Sequence, residues 1–325
     1  INCPEVVFLQ PDMTETKTNG LVLRSTGSWY TVLLDSGETL ECRLKGKFRM
    51  KGIKSTNPVA VGDKVEVESP DTGSPVIKTI FQRENYLIRK ATRLSKQSHI
   101  IAANIDQAVI VVTLAFPRTS TGFIDRFLVT AEAYHIPAII IFNKTDLYDD
   151  ELSLQHKAMT DLYERIGYNC INTSAKTGEN IDKVKAVLKE KISLFSGHSG
   201  VGKSAIANAV DSSLNLRTGV ISDVHNKGKH TTTFAEMHPI SGGGFLVDTP
   251  GIKEFGLVDM EKVEIAQRFP EMRSIMHKCR FNNCTHVNEP GCAVKEAVEK
   301  GTIDKTRYRN YLGILDDDYW NENIY

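Results

Sequence analysis

Residues 196–210 read SGHSGVGKSAIANAV. Gly197, Gly202, Lys203 and Ser204 match the phosphate-loop spacing G-x-x-x-x-G-K-[ST]. The apolar run ISLFS before the loop has strand character, and the residues after it have helical character. A strand, glycine loop and helix turn several backbone N–H groups toward one point, and the helix N-terminus adds partial positive charge, so phosphate is attracted there. The nucleotide contacts expected here run from Gly197 through His198, Ser199, Gly200, Val201, Gly202, Lys203, Ser204 and Ala205. Lys203 is expected to reach the β- and γ-phosphates, and Ser204 to ligate Mg²⁺. Such a loop usually opens its domain, yet nearly two hundred residues precede this one.

Those residues carry the other half of a nucleotide site. QAVIVVTLA (107–115) and PAIIIFNKTDL (137–147) are apolar runs of the kind expected for strands covered on both faces. The second ends in NKTD, Asn143 to Asp146. A carboxylate at Asp146 can accept two hydrogen bonds from guanine N1–H and N2–H₂. Adenine offers an acceptor at N1 and nothing at C2, so the carboxylate would stay unpaired, at high cost. Asn143 would brace the loop, and the stem of Lys144 would cover the base. TSAK, Thr173 to Lys176, follows one helix and one strand later, and Ser174, Ala175 and Lys176 are placed to meet the guanine.

Two elements follow the phosphate loop. DTPG, Asp248 to Gly251, ends a strand; Asp248 is expected to hold Mg²⁺ through water, and the Gly251 amide to sense the γ-phosphate. GKHTTT (228–233) lies between, and Thr231 or Thr232 would complete the Mg²⁺ shell. All five elements of a GTPase are thus present in rotated order, with base recognition first. Rotation is permissible, because strand neighbours rather than chain order hold a sheet, and domain termini often lie close together. Strands alternating with helices from about residue 100 imply a parallel sheet with helices on both faces.

The flanks differ. Residues 20–90 show short strands and glycine turns, as in LVLRSTGSWYTVLLDSG, DKVEVES and SPVIKTIF, which suits an OB-fold barrel. After about 258 the strands stop. VEIAQRFPEMRSIMHK (263–278), AVKEAVEKG (293–301) and DKTRYRNYLGILDDDYW (304–320) have helical character. Between the first two lies CRFNNCTHVNEPGC, which places Cys279, Cys284, His286 and Cys292 within one loop. Three thiolates and an imidazole can surround one tetrahedral Zn²⁺, and four protein ligands make the site structural. The expected division is 1–92 OB-fold, 93–257 GTPase domain and 258–325 helical zinc domain.

On these motifs the chain resembles the circularly permuted GTPases, and among them the ribosome small subunit-dependent GTPase A (RsgA/YjeQ) family, across essentially its whole length. The resemblance implies an OB barrel, a permuted GTPase domain and a C-terminal zinc domain. It also implies a GTP hydrolase that acts on the 30S ribosomal subunit and its 16S rRNA late in maturation, slow alone and stimulated by the subunit. Many GTPases place a glutamine just after the D-x-x-G element, whereas Ile252 stands here, and a hydrophobic residue at that place is normal for the family. His230 is therefore the candidate catalytic residue, to orient water or stabilise charge.

Formal net charge is zero over 325 residues, so any case for RNA rests on local clusters. RLKGKFRMKGIK (43–54) carries Arg43, Lys45, Lys47, Arg49 and Lys51 around Phe48, with no acid from 42 to 62. Basic grooves with stacking aromatics are how OB barrels bind nucleic acid. RKATRLSKQSH (89–99) and KTRYR (305–309) add further cations. An alternative is a soluble signalling GTPase whose barrel and zinc modules bind protein. Six cysteines point to a reducing compartment rather than a disulfide scaffold. No signal peptide or membrane span is read, although the chain begins at Ile1 rather than Met. A cytoplasmic monomer is expected.

Overall fold

The computed structural model describes residues 16–44, 58–70, 73–89, 99–216, 235–248 and 261–316. The N-terminal part is a closed five-stranded barrel. Its strands are β1 (Thr16–Thr26), β2 (Trp29–Leu34), β3 (Thr39–Leu44), β4 (Lys64–Ser69) and β5 (Val76–Ile80). They pair in the order β1-β2-β3-β5-β4, and β4 returns to β1. All these pairings are antiparallel except β3 with β5. Alternation fills the interior with Val22, Val32, Val65, Val67 and Ile77, as an amphipathic strand period requires. Gly20 sits where β1 meets both β2 and β4. A Cβ there would lie 2.7 Å from the Leu33 carbonyl oxygen, so a side chain would prise the barrel open.

A hairpin of β6 (Tyr86–Arg89) and β7 (His99–Ala103) leads to the second unit. Its sheet contains β8 (Gln107–Val112), β9 (Ala138–Phe142), β10 (Asn169–Asn172), β11 (Ile192–Ser196), β12 (Glu236–Ile240) and β13 (Gly244–Asp248). The order is β10-β9-β8-β11-β13-β12, parallel except for the β12–β13 pair. The strand that feeds the phosphate loop, β11, is central although late in the chain. Arg24 of β1 pairs with Glu236 of β12, which joins barrel and sheet edge to edge.

Both faces of the sheet are covered, which explains the unbroken apolar runs. Ile110, Val112, Ile140 and Phe142 pack under α1 (Thr121–Ala133) and α2 (Asp150–Ile166). Val109, Val111, Ile139 and Ile141 pack under α3 (Ile181–Leu188) and α4 (Lys203–Val210). Asp149 caps α2 by accepting from Leu152 N, and Gly167 ends it in the left-handed region at φ 112°.

The C-terminal unit has its own core around Phe269, Met272, Val294, Tyr311 and Ile314, and this core also takes in Val129 of α1. Residues 263–278, expected as one helix, form separate short turns at Lys262–Ile265, Ala266–Arg268, Pro270–Arg273 and Met276–Lys278. Pro270 is the reason: it has no N–H to donate and clashes with the preceding turn, so it starts a new helical segment instead of continuing one. Regular helices return at α5 (Ala293–Glu299) and α6 (Lys305–Asp316).

Candidate nucleotide site and metal cluster

The phosphate loop leaves the end of β11 and returns as α4. Gly197, Gly200 and Gly202 have φ of 139°, 79° and 100°. Two of them are required by close approach as well. A Cβ on Gly197 would stand 2.3 Å from the Val111 carbonyl oxygen, and one on Gly202 would stand 2.2 Å from Asn143 Nδ2. The Lys203 ammonium donates to the carbonyls of Gly197 (2.7 Å) and His198 (2.9 Å), which holds it across the loop. Ser204 is buried in the first turn of α4.

Asn143 joins the two halves of the site. It lies at the end of β9, 1% exposed. Its Nδ2 donates to the Val201 carbonyl (2.8 Å), and its Oδ1 accepts from the Ala175 amide (3.1 Å). One side chain therefore ties the phosphate loop to the TSAK loop. Lys144, in the left-handed region at φ 66°, adds a second tie. Its ammonium donates to the Gly200 carbonyl (2.7 Å) and also to the Phe116 carbonyl. Burial lowers the Lys144 pKa, opposed by the charge of Asp146.

Asp146 accepts from the Ser174 hydroxyl (2.6 Å), and Lys176 stands 4.0 Å from its other oxygen. Thr145 and Glu179 take part although sequence reading passed them over. Thr145 Oγ1 donates to Glu179 Oε2 (2.7 Å), and the Thr173 hydroxyl donates to the Glu179 carbonyl (2.5 Å). Polar residues in loops are common, so only the fold singles these out. Asp248 ends β13 opposite Phe195 of β11, which aligns it with the entrance to the phosphate loop. The expected positions Gly251, His230, Thr231 and Thr232 lie outside the described residues, as do Lys45, Lys47, Arg49 and Lys51. Arg43 lies near the end of β3, and its guanidinium lies 4.2 Å over the ring of Trp29, the first residue of β2.

In the C-terminal unit the ligand atoms of Cys279, Cys284, His286 and Cys292 all lie within 4.8 Å of one another. His286 Nδ1 is 3.6 Å from Cys279 Sγ and 3.3 Å from Cys292 Sγ, and the two sulfurs are 4.0 Å apart. A tetrahedral ion with metal–sulfur bonds of about 2.3 Å has sulfur–sulfur edges of roughly 3.8 Å, so these spacings suit a single metal ion. His286 adopts φ 60° and is fully buried, and burial lowers its pKa, which favours the neutral form that ligation needs. Burial first, and the neighbouring thiols after it, push Cys284 up to about 12. Metal binding must then release a proton from it, so affinity for a metal rises with pH.

A phosphate loop and a base-recognition loop in rotated chain order, held at one end of one parallel sheet, define a circularly permuted GTPase. Comparison with known proteins agrees. The RsgA GTPase domain description matches residues 80–258, and the RsgA N-terminal domain description matches residues 19–77. The chain is 53% identical to the small ribosomal subunit biogenesis GTPase RsgA 2 of Bacteroides thetaiotaomicron, over 92% of this chain and 96% of that protein. It is also 53% identical to the RsgA of Flavobacterium johnsoniae, over 94% of this chain and 96% of that protein. Among solved structures, YjeQ from Thermotoga maritima superposes with a TM-score of 0.77 at 38% identity, covering 92% of this chain and 98% of that one. YloQ, a circularly permuted GTPase, superposes with a TM-score of 0.74 at 29% identity, covering 97% and 99%. The chain belongs to the RsgA GTPase family, whose activity is GTP hydrolysis.

Proposed function

We propose that this protein binds the 30S ribosomal subunit through 16S rRNA and hydrolyses GTP to GDP and phosphate there, as a timing switch in late maturation of the subunit. The observation that carries the nucleotide part is the Asn143 junction. It puts the Asp146 loop and the Lys203 loop on one side chain, about the arrangement a guanosine triphosphate would bridge. Asp146 receives the guanine N1–H and N2–H₂, the Ser174–Lys176 loop borders the base, and Lys144 flanks its face. The loop from Gly197 to Ala205 wraps the phosphates. Ser204 opens α4 just beyond β11, Asp248 ends the neighbouring strand β13 at the same sheet end, and the two suit Mg²⁺, together with Thr231 or Thr232. When bound, Mg²⁺ neutralises charge developing on the phosphates. Gly251 senses the γ-phosphate, and His230 orients the attacking water.

Zn²⁺ is the ion that fits three sulfurs and an imidazole in a closed set, and its role is structural. The names of the relatives place their action on the small ribosomal subunit. Here the supporting features are the cations of the 43–51 stretch of sequence, Arg43, Lys45, Lys47, Arg49 and Lys51, and the half-buried Trp29 beneath Arg43. The working units are 1–92, 93–257 and 258–325, acting as a cytoplasmic monomer. Among the described residues no helix is long and apolar enough to cross a membrane.

Turnover of GTP with and without isolated 30S subunits tests this reading. A rate unchanged by the subunit overturns it in favour of a signalling GTPase whose flanking units bind protein. With the subunit present, His230→Ala at saturating GTP is expected to lower kcat; an unchanged rate removes His230 from the chemistry.

A further inference from the structure

Helix α1 touches the phosphate loop at one end and the C-terminal unit along its side. At its start, Ser120 caps the helix by accepting from Phe123 N (3.2 Å). The Phe123 ring then stacks on His198, the second residue of the phosphate loop, with centroids 3.8 Å apart and planes 28° from parallel. His198 is also one of the two residues whose carbonyl accepts from Lys203. Half a turn further along α1 lies Asp125, with no solvent exposure, facing a different neighbour.

That neighbour is α6. Arg307 Nη1 donates to Asp125 Oδ1 (2.6 Å), and Asn310 Nδ2 donates to Asp125 Oδ2 (2.5 Å). Tyr163 of α2 adds a third donor to Oδ1 (2.8 Å). Glu271 takes the rest of the guanidinium, at 2.7 Å from Nε and 3.1 Å from Nη2. Arg307 is 1% exposed and lies 4.6 Å over the Phe269 ring. A buried ion pair in which each guanidinium nitrogen donates holds one geometry, because breaking a member strands a charge. Asn310 is close to the helix start as well: a Cβ on Gly122 would lie 3.7 Å from its Oδ1.

We infer that Phe123 is a positioning residue for the phosphate loop, and that the C-terminal unit sets it in place through the Arg307–Asn310–Asp125 lock on α1. The inference rests on the reading of residues 197–204 as the phosphate site. Its content is that a change in the C-terminal unit reaches the nucleotide through the angle of α1 and the ring stack, with no residue of that unit touching the nucleotide. The apolar contact of Phe123 alone would stabilise the fold; the stack on His198 adds a defined direction to the loop backbone that Lys203 spans.

The test uses the full zinc-loaded chain and a double-mutant cycle. Phe123→Leu keeps apolar bulk and removes the stack, whereas Phe123→Tyr keeps the stack. Asn310→Ala removes one donor to Asp125 and leaves the Arg307 pair standing. Phe123→Leu is expected to weaken GTP and GDP binding about three- to tenfold, the scale of a lost aromatic pair, with kcat changed less than KM. Phe123→Tyr is expected to restore wild-type affinity. Asn310→Ala is expected to weaken binding about twofold and to add nothing further in the Phe123→Leu background, since both act on one path. Hydrogen exchange of the 197–203 amides should quicken in Asn310→Ala while the α2 amides stay protected. Additive effects, unaltered nucleotide affinity in Phe123→Leu, or unchanged loop exchange in Asn310→Ala each overturn the inference. Failure of the wild-type chain to bind GTP would instead overturn the reading of the site, and the exchange measurement needs no nucleotide.

Discussion

The nucleotide site and the cysteine cluster are both built from short polar motifs, but they are held together in opposite ways. The nucleotide site draws on the ends of β9, β10 and β11, which are spread over 61 positions from Asn143 to Ser204, and the sheet brings them together. Its loops are bonded to one another by Asn143 and Lys144, while Lys203 bonds across its own loop. The cluster draws four ligands from one loop, Cys279 to Cys292. The loop is braced by Glu289 and by the Tyr308 and Tyr311 hydroxyls, but its four ligand groups converge on a single point, where only an ion would join them. A site borrowed from a sheet is expected to outlast the loss of its ligand, and a site made by one loop to depend on it.

Metal removal should break this comparison most visibly. Chelation is expected to unfold the C-terminal unit, since structural zinc commonly contributes on the order of 10 kcal/mol of folding free energy. GTP binding should fall only by the few-fold that α1 transmits. Far-ultraviolet dichroism and nucleotide titration on the same sample check both halves, and complete loss of binding would show that the two regions are one folding unit.

Next in size is Asp146→Ala, which leaves the sheet intact and removes the acceptor for the base. GTP affinity should drop by about 3 kcal/mol, roughly a hundredfold, while the melting temperature barely moves. Calorimetric titration reads the first and thermal melting the second.

Two glycines then sharpen the contrast, because both have positive φ. Gly202→Ala brings a Cβ against Asn143 Nδ2 and should cost about 2–3 kcal/mol of stability, with GTP binding lost as the Asn143 junction opens. Gly301→Ala, at φ 74° with nothing nearby, should cost only about 1 kcal/mol and leave binding alone. Denaturant melts of the two variants compare them directly.

The smallest effect is expected at Glu289. Its carboxylate accepts from the amides of Thr285 (2.7 Å), Val287 (3.0 Å) and Asn288 (3.1 Å) and from the Thr285 hydroxyl (2.6 Å). Burial pushes its pKa up, but these bonds together outweigh burial and hold it at about 2, below the ordinary 4.5. A depressed carboxylate stabilises the fold above its ordinary value, and that contribution is lost as pH falls from about 4.5 toward 2. Glu289→Gln should therefore melt slightly earlier than wild type at pH 7, and the gap should close in acid.

The motifs were legible without coordinates because each is local. The glycine spacing of 197–204, NKTD, TSAK and the Cys279–Cys292 ligands are short patterns whose chemistry depends on residue type. Covered strands announced themselves as unbroken apolar runs, and the barrel as short strands with glycine turns. The broken helical segment at 263–278 was not legible in the same way: its apolar spacing suits one helix, and a single Pro270 overrides it.

Residue order alone thus determined which groups can hold phosphate, guanine and metal, since those abilities reside in side-chain chemistry and near spacing. Only tertiary structure decided that Asn143 would bridge two loops, that Glu179 would receive Thr145, and that Asp125 and Arg307 would meet across two units. Those contacts join residues from 32 to 182 positions apart. Nothing in a local pattern encodes such a meeting; it follows from which strands become neighbours and which helix faces are buried against each other.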